Sequence, residues 1–156
     1  MNTLFVGFKG LNNASYKLVS LLSGDKLFLT NSFDGLAKDI HGLTSEYSKV
    51  FMFGIDRSLT NSVRIESCAE RNGCLLTSNL LLGDIAEMLR INGVKSSVSN
   101  IPSKYLCNEA YFRMLEQVKG NTVFIHIPSG KNMSPQLLDS LKLVFKQLST
   151  ETGLHN

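Results

Sequence analysis

Short apolar runs alternate along the chain with segments whose apolar residues recur every three or four positions. Runs without polar alternation are typical of strands that are covered on both faces. Such runs occur at Leu4 to Val6, Lys26 to Thr30, Val50 to Phe53 and Val123 to Ile127. We therefore predict that these segments form buried strands.

The segments between the strands carry helical signals. Ala14 to Leu22 and Thr77 to Asn92 each place apolar residues on one face and end shortly before a glycine. Ser134 and Pro135 supply an N-cap and a first-turn proline for a last helix. Strands that alternate with helices indicate βαβ units. Residues 1–156 are therefore predicted to form a single α/β domain, with a mostly parallel sheet and helices on both faces.

Composition narrows the class of function only slightly. The chain has 156 residues, of which 43% are hydrophobic and 19% charged, and these values exclude intrinsic disorder. Its basic residues are scattered and the net charge is only +3, so neither nucleic acid nor an anionic membrane is an expected partner. No apolar run approaches the ~20 residues of a membrane span. A soluble enzyme or binding domain is the class that remains.

The cysteines indicate a reducing compartment. Cys68, Cys74 and Cys107 are odd in number and lack Cys-x-x-Cys spacing, which favours free thiols over disulfides or a zinc site. The first residues lack the basic region and cleavage site of a signal peptide, so the expected location is the cytoplasm. The sequence contains no His-Glu-x-x-His pattern, dinucleotide glycine motif or P-loop. No metal and no cofactor are therefore expected.

Cys107 is the first candidate for chemistry. It precedes an amphipathic segment, Glu109 to Leu115, and so lies near the first turn of a predicted helix. Free N–H groups and the helix dipole at such a place lower the pKa of a thiol and favour the thiolate. The alternative is a small buried apolar side chain, which is the commoner role of a free cysteine.

His126 and Glu66 are the other candidates. His126 lies at the end of an apolar strand, before a Pro-Ser-Gly loop, where an imidazole could serve as the general base of a thiol nucleophile. A hydrogen-bonded core histidine is the alternative. Glu66 lies in a semi-apolar stretch and could orient a histidine, or it could pair with Arg64 or Arg71 at the surface.

Four segments, taken in order, carry a family resemblance. They are Val6-Gly7-Phe8 with Asn13-Ala14-Ser15, Ile65-Glu66-Ser67-Cys68-Ala69, Ser99-Asn100 through Cys107-Asn108 with Tyr111, and Phe124-Ile125-His126-Ile127-Pro128. The third has the spacing of Ser-Asn-x-Ala-Gly-x-Tyr/Phe-x-Cys-Asn-x-x-x-Tyr, the nucleophile motif of the pyrrolidone-carboxylate peptidases (pyroglutamyl peptidase I). The second and fourth resemble that family's segments around its catalytic glutamate and histidine, and the first resembles its opening motif. The chain order Glu, Cys, His is also the family's.

The resemblance implies a fold, an activity and a site. The fold is a three-layer α/β/α sandwich of the phosphorylase/hydrolase-like kind. The activity is that of a cysteine-type omega peptidase, which removes an N-terminal pyroglutamyl or similar small N-acyl group from a peptide or small amide. Cys107 is then the nucleophile, His126 its base and Glu66 the group that orients His126. A homo-oligomer, either a dimer or a tetramer, is also implied.

The same resemblance places substrate contacts at Phe8, Leu11, Asn13 and Tyr105. Leu11 stands where the family has a second aromatic residue, and Pro102-Ser103 replaces its Ala-Gly ahead of the nucleophile. These departures keep a second hypothesis open, in which the chain is a weak or inactive relative that binds a small molecule or a protein. A third is an unrelated flavodoxin-like or nucleotide-binding domain, which has this element order but needs a phosphate loop that the sequence lacks.

Overall fold

The computed structural model describes residues 2–151, in which strands and helices alternate. In chain order the elements are β1 (Thr3–Phe8), α1 (Ala14–Leu21), β2 (Asp25–Leu29), α2 (Phe33–His41), β3 (Lys49–Ile55), β4 (Ser62–Glu66), β5 (Cys68–Arg71), β6 (Cys74–Thr77), α3 (Leu82–Ile91), β7 (Lys95–Ser99), α4 (Tyr105–Gln117), β8 (Thr122–Ile127) and α5 (Pro135–Thr150). All of the predicted strands are present, as β1, β2, β3 and β8. Within this part of the chain, no helix has the length and apolar character that a membrane span requires.

The central sheet has six strands in the order β2-β1-β3-β8-β4-β7. β1, β2, β3 and β8 run parallel to one another, and β4 and β7 run parallel to each other. The one antiparallel junction joins β4 to β8. The sheet is therefore mostly parallel, as predicted. Helices cover both of its faces and complete a three-layer α/β/α sandwich.

Each face of the sheet has its own helical layer. One face packs against α1, α3 and α5, and the other against α2 and α4. Strand residues alternate between the two layers, so Phe53 points to the first layer and Met52 to the second. Phe124 of β8 also faces the second layer. This alternation fixes the face on which the polar residues of β8 lie.

Four strands were not predicted from the sequence. β4 and β7 are short and carry serine, lysine or arginine, so they lack the continuous apolar character of the other strands of the sheet. β5 and β6 form a separate two-stranded hairpin. Its turn holds Asn72 and Gly73, both with positive φ (51° and 80°), as a tight hairpin turn requires. The Asn-Gly pair was the sequence signal for this hairpin.

The helix predicted from Thr77 begins later, at Leu82. The sequence Thr77-Ser78-Asn79 resembles an N-cap, but Thr77 is the last residue of β6 and the Ser78 hydroxyl donates to the backbone oxygen of Thr122. No side chain caps the true start of α3. The prediction of this boundary was wrong because hydroxyl and amide side chains also form hydrogen bonds with backbone groups of neighbouring strands.

Candidate active site

Three polar side chains share one face of the sheet where β8 meets β4. The antiparallel register places Arg64 opposite His126, and Glu66 opposite Phe124. Residues two apart in a strand point to the same face, and Phe124 faces the layer of α2 and α4. Arg64, Glu66 and His126 therefore project toward the helix that carries Cys107.

Cys107 reaches this group from the first turn of α4. Gly54 of β3 pairs with His126 across the sheet. A Cβ atom at position 54 would lie 2.9 Å from Cys107 Sγ and 2.6 Å from Phe124 Cζ. The missing side chain of Gly54 thus provides the space in which the sulfur packs between strand and helix.

The three residues predicted to form the catalytic site line one cleft. Cys107, His126 and Glu66 lie in the wall of a cleft of about 800 Å³, bounded by the end of β3, by β4 and by the segment that leads into α4. Four further charged side chains line the same cleft: Asp56, Arg57, Arg64 and Lys104. The full lining is Ile55, Asp56, Arg57, Arg64, Glu66, Ser99, Ile101, Pro102, Ser103, Lys104, Tyr105, Leu106, Cys107 and His126. The arrangement brings a thiol, an imidazole and a carboxylate to one solvent-accessible site.

Glu66 contacts two of the partners that the sequence left open, His126 and Arg64. Its Oε1 lies 3.3 Å from His126 Nδ1 and accepts a hydrogen bond of 2.9 Å from Arg64 Nε. The Glu66 carboxylate is only 2% exposed whereas the Arg64 side chain is 26% exposed, so the ion pair joins a buried acid to a partly exposed base. Glu66 Oε2 is buried and has no hydrogen-bond partner among the described residues. Arg71 pairs instead with Glu109.

Arg64 also reaches beyond Glu66. Its Nη2 lies 2.8 Å from Asp56 Oδ2 and 3.3 Å from His126 Nδ1. Burial alone would raise the pKa of Asp56, but hydrogen bonds from Ser58 and Arg64 lower that pKa to about 2. Asp56 is therefore ionised at neutral pH and balances the charge of Arg64.

The Cys107 thiol is protonated at neutral pH. Burial raises the pKa of Cys107 to about 12, the negative charges of Glu66 and Asp56 add to the increase, and Arg64 opposes it. The expectation that the helix start lowers this pKa is therefore wrong here. The helix dipole is a modest effect compared with the desolvation of a thiolate between a sheet and a helix.

The start of α4 has an unusual backbone. Tyr105 has φ of 61°, in the left-handed region, and its side chain is 81% exposed. No side chain caps the helix, and its first turn has no acidic residue. Asn108 anchors this turn, because its side chain donates to the Glu70 backbone oxygen and accepts from the Glu70 N–H. The first turn of α4 thus lacks a side-chain N-cap, and its residues Tyr105, Leu106 and Cys107 line the cleft.

The predicted substrate contacts fall at separate places. Tyr105 lines the cleft of Cys107. Leu11 and Asn13 line another cavity, of about 400 Å³, between the β1–α1 loop and the start of α5. Asn13 also caps α1, since its Oδ1 accepts from the N–H groups of two α1 residues, and Phe8 is a buried core residue against α2 and α4.

Sequence reasoning missed Gly54, Asp56 and Arg64 as parts of the site. Gly54 and Asp56 come just after the predicted strand Val50 to Phe53. Their position at its carboxyl end was therefore a sequence signal for the site. Arg64 precedes Glu66 by two residues, which is the spacing of neighbours on one face of a strand. That signal was hidden because β4 itself was not predicted. Within residues 2–151, no group of three His, Cys, Asp or Glu side chains could hold a metal ion.

The chain has the fold of the pyrrolidone carboxyl peptidases. The enzyme from Thermococcus litoralis superposes with a TM-score of 0.73 and 17% identity, over 96% of this chain and 93% of that chain. Pyroglutamyl peptidase I from Bacillus amyloliquefaciens gives 0.74 and 16%, over 97% and 98% of the two chains. The pyrrolidone carboxyl peptidase from Thermus thermophilus gives 0.72 and 16%, over 94% and 99%. No protein-family model and no curated protein matches the sequence.

Proposed function

We propose that this protein is a cysteine peptidase of the pyroglutamyl-peptidase type, which removes an N-terminal pyroglutamyl or similar small N-acyl group. The observation that carries the proposal is that Cys107, His126 and Glu66 line one cleft. The fold, shared with pyroglutamyl peptidases over nearly the whole chain, supports it. Under this proposal residues 1–156 form one cytoplasmic domain that assembles as a dimer or tetramer and uses no metal or cofactor.

The proposed reaction starts from a neutral thiol. As Cys107 Sγ attacks the scissile carbonyl carbon, His126 Nε2 takes the thiol proton, and a C–S bond forms. The carbonyl oxygen becomes an oxyanion, which free N–H groups at the start of α4 stabilise. His126 then gives its proton to the leaving amine as the C–N bond breaks. Water, deprotonated by His126, hydrolyses the thioester and restores the thiol.

A binding module is the second candidate function. No hydrogen bond joins Cys107 Sγ to His126 in the described part of the chain, and the thiol pKa is raised. Leu11 and Asn13 lie in a cavity other than that of Cys107. These observations favour a relative that keeps the scaffold and binds a small molecule or protein without efficient turnover.

The test is release of aminomethylcoumarin from pyroglutamyl-aminomethylcoumarin. We expect turnover by the natural sequence, loss of turnover in Cys107→Ala, and normal turnover in Cys74→Ala, which removes an exposed thiol and serves as the matched control. A panel of other small N-acyl and aminoacyl coumarins is run beside it.

Each outcome assigns a function. Turnover that depends on Cys107 but not on Cys74 supports the peptidase. Turnover of another N-acyl compound alone keeps the hydrolase and changes its substrate. If no compound in the panel is cleaved, the peptidase proposal is wrong and the binding module takes its place. If Cys107→Ala cleaves equally well, the protein is a hydrolase but Cys107 is not its nucleophile, and the proposed mechanism is wrong.

A further inference from the structure

The guanidinium of Arg64 lies within reach of three groups at once. Its Nε is 2.9 Å from Glu66 Oε1, and its Nη2 is 2.8 Å from Asp56 Oδ2 and 3.3 Å from His126 Nδ1. Glu66 Oε1 is also 3.3 Å from the same imidazole nitrogen. His126 Nδ1 therefore has two neighbours at equal distance, one cationic and one anionic.

These two neighbours require opposite tautomers of His126. A guanidinium has only donors, and a carboxylate has only acceptors. Donation from Arg64 Nη2 requires a lone pair on Nδ1, which leaves the ring proton on Nε2. Acceptance by Glu66 Oε1 requires the proton on Nδ1, which leaves the lone pair on Nε2. Only the second state provides a base.

Asp56 favours one of the two tautomers because it binds the Arg64 guanidinium, which competes with Glu66 for His126 Nδ1. Its hydrogen bond to Arg64 Nη2 is shorter than the approach of Nη2 to the imidazole, and both partners are charged. Asp56 itself is fixed, since its Oδ1 accepts from the backbone N–H and the hydroxyl of Ser58. The Arg64 side chain is partly exposed, at 26%, so it has freedom to move once released.

We propose that Asp56 and Arg64 are positioning residues that fix the tautomer of His126. Asp56 retains the guanidinium, His126 Nδ1–H donates to Glu66, and Nε2 keeps the lone pair that faces the cleft. When Asp56 is absent, Arg64 donates to Nδ1 and the imidazole carries its proton on Nε2. The consequence for catalysis rests on the proposed function: an imidazole that carries its proton on Nε2 cannot accept the thiol proton of Cys107.

The direct test is the ¹⁵N spectrum of the imidazole in the intact protein, because protonated and unprotonated ring nitrogens resonate in separate regions. At a pH where His126 is neutral, we expect Nδ1 protonated in the natural sequence and Nε2 protonated in Asp56→Ala. Adding Arg64→Met to Asp56→Ala removes the competing donor and returns the proton to Nδ1. Asp34→Ala, which removes an exposed carboxylate that does not line the cleft, is the matched control and leaves the tautomer unchanged.

Activity is the second readout. Asp56→Ala lowers kcat about 10- to 100-fold, as part of the ~10²–10⁴-fold that a general base supplies, whereas KM changes little. The double variant regains part of that loss. A merely structural role of Asp56 predicts instead that the double variant is no better than the single one.

The proposal is overturned if Asp56→Ala keeps the proton on Nδ1, or if the double variant keeps it on Nε2. Should Asp56→Ala fail to fold, Asp56→Asn retains an acceptor for Ser58 and weakens the hold on Arg64. A rise of the Nε2-protonated form in Asp56→Asn, abolished by adding Arg64→Met, supports the proposal, and an unchanged spectrum overturns it.

This test separates the inference from the proposed function, because the spectrum needs no substrate. A protein that cleaves no compound but shows the expected tautomers keeps the inference and loses the peptidase. A protein that cleaves the coumarin substrate with a tautomer independent of Asp56 keeps the peptidase and loses the inference.

Discussion

The Tyr111 hydroxyl donates a buried hydrogen bond of 2.7 Å to the backbone oxygen of Glu66. Tyr111 lies four residues after Cys107 in α4, about one helical turn further along. The bond therefore joins the helix that carries the thiol to the strand that carries the carboxylate. Tyr111 thus ties α4 to β4 through a hydrogen bond to the backbone of the residue that carries the carboxylate.

Tyr111→Phe removes this bond and keeps the ring. We expect the free energy of unfolding to fall by about 1 kcal/mol, because a buried carbonyl loses a donor, and we expect kcat to fall as Cys107 becomes less well placed. Urea denaturation and the coumarin assay measure the two effects. Tyr16→Phe is the control, since the Tyr16 ring packs on Phe28 and its hydroxyl has no hydrogen bond in the described residues. Equal effects of the two substitutions would contradict the prediction.

Gly54→Ala fills the space that the Cys107 sulfur and the Phe124 ring occupy. Overpacking of this kind costs about 1–3 kcal/mol, and the displaced sulfur lowers activity as well. Gly83→Ala in α3 is the matched control, because a Cβ there meets no atom within 4 Å and alanine favours a helix. The comparison of melting temperatures decides: the prediction is wrong if the two substitutions have the same effect.

Tyr105 is strained by its backbone and not by its packing. Its φ of 61° costs an ordinary residue about 1–2 kcal/mol, whereas its exposed ring contributes little burial. Tyr105→Gly is therefore expected to leave the free energy of unfolding unchanged or to raise it. Tyr105→Val, with a β-branched side chain in the left-handed region, lowers it. A loss of stability in Tyr105→Gly as large as that in Tyr105→Val would show that the ring supplies the stability.

The raised pKa of Cys107 sets the pH at which its thiol is alkylated. Iodoacetamide reacts with the thiolate, so the rate at Cys107 should still be rising at pH 10, since burial and nearby carboxylates raise the pKa of this thiol to about 12. Glu66→Gln removes one negative charge and shifts the rate profile to lower pH. Mass spectrometry of each cysteine follows the reaction, with the exposed Cys74 as internal reference. A plateau already reached at pH 8 would contradict the raised pKa.

The same pKa has a consequence for stability. The folded state retains the Cys107 proton to higher pH than the unfolded chain does, because its pKa is raised from 9.0 to about 12. This contribution to stability is complete below pH 9.0 and is lost as pH rises toward 12. Cys107→Ala removes this part of the decline, and denaturation of both proteins at pH 8 and pH 10 measures it. A decline of equal size in both proteins would contradict the assignment to Cys107.

The sequence predicted the elements that carry Cys107 and His126 better than it predicted the surroundings of these two residues. Cys107 and His126 lie next to strong patterns, an amphipathic helix and an apolar strand, and both patterns are confirmed. β4 has period-two alternation, with Val63 and Ile65 on one face and Arg64 and Glu66 on the other, but five residues of mixed character do not distinguish a strand from a loop.

The contacts of Arg64 could not be predicted, for a different reason. Arg64 meets His126 through an antiparallel register between strands that are distant in the sequence, and no local pattern encodes that register. The raised pKa of Cys107 was missed because it depends on how tightly α4 packs over the sheet. Burial and long-range charge are properties of the assembled fold, whereas the helix-start argument used local sequence alone.

The close packing around Gly54 affects how a glycine at this position should be interpreted in related sequences. Two neighbours exclude a Cβ there, and the Phe124 ring, at 2.6 Å, does so without help from the sulfur at 2.9 Å. A related chain with another residue in place of Cys107 would still need a glycine here, because an added Cβ would overlap the Phe124 ring. A glycine at this position is therefore explained by core packing and does not by itself indicate a catalytic site, whereas the Asp56–Arg64 ion pair lies in the cleft and is partly exposed.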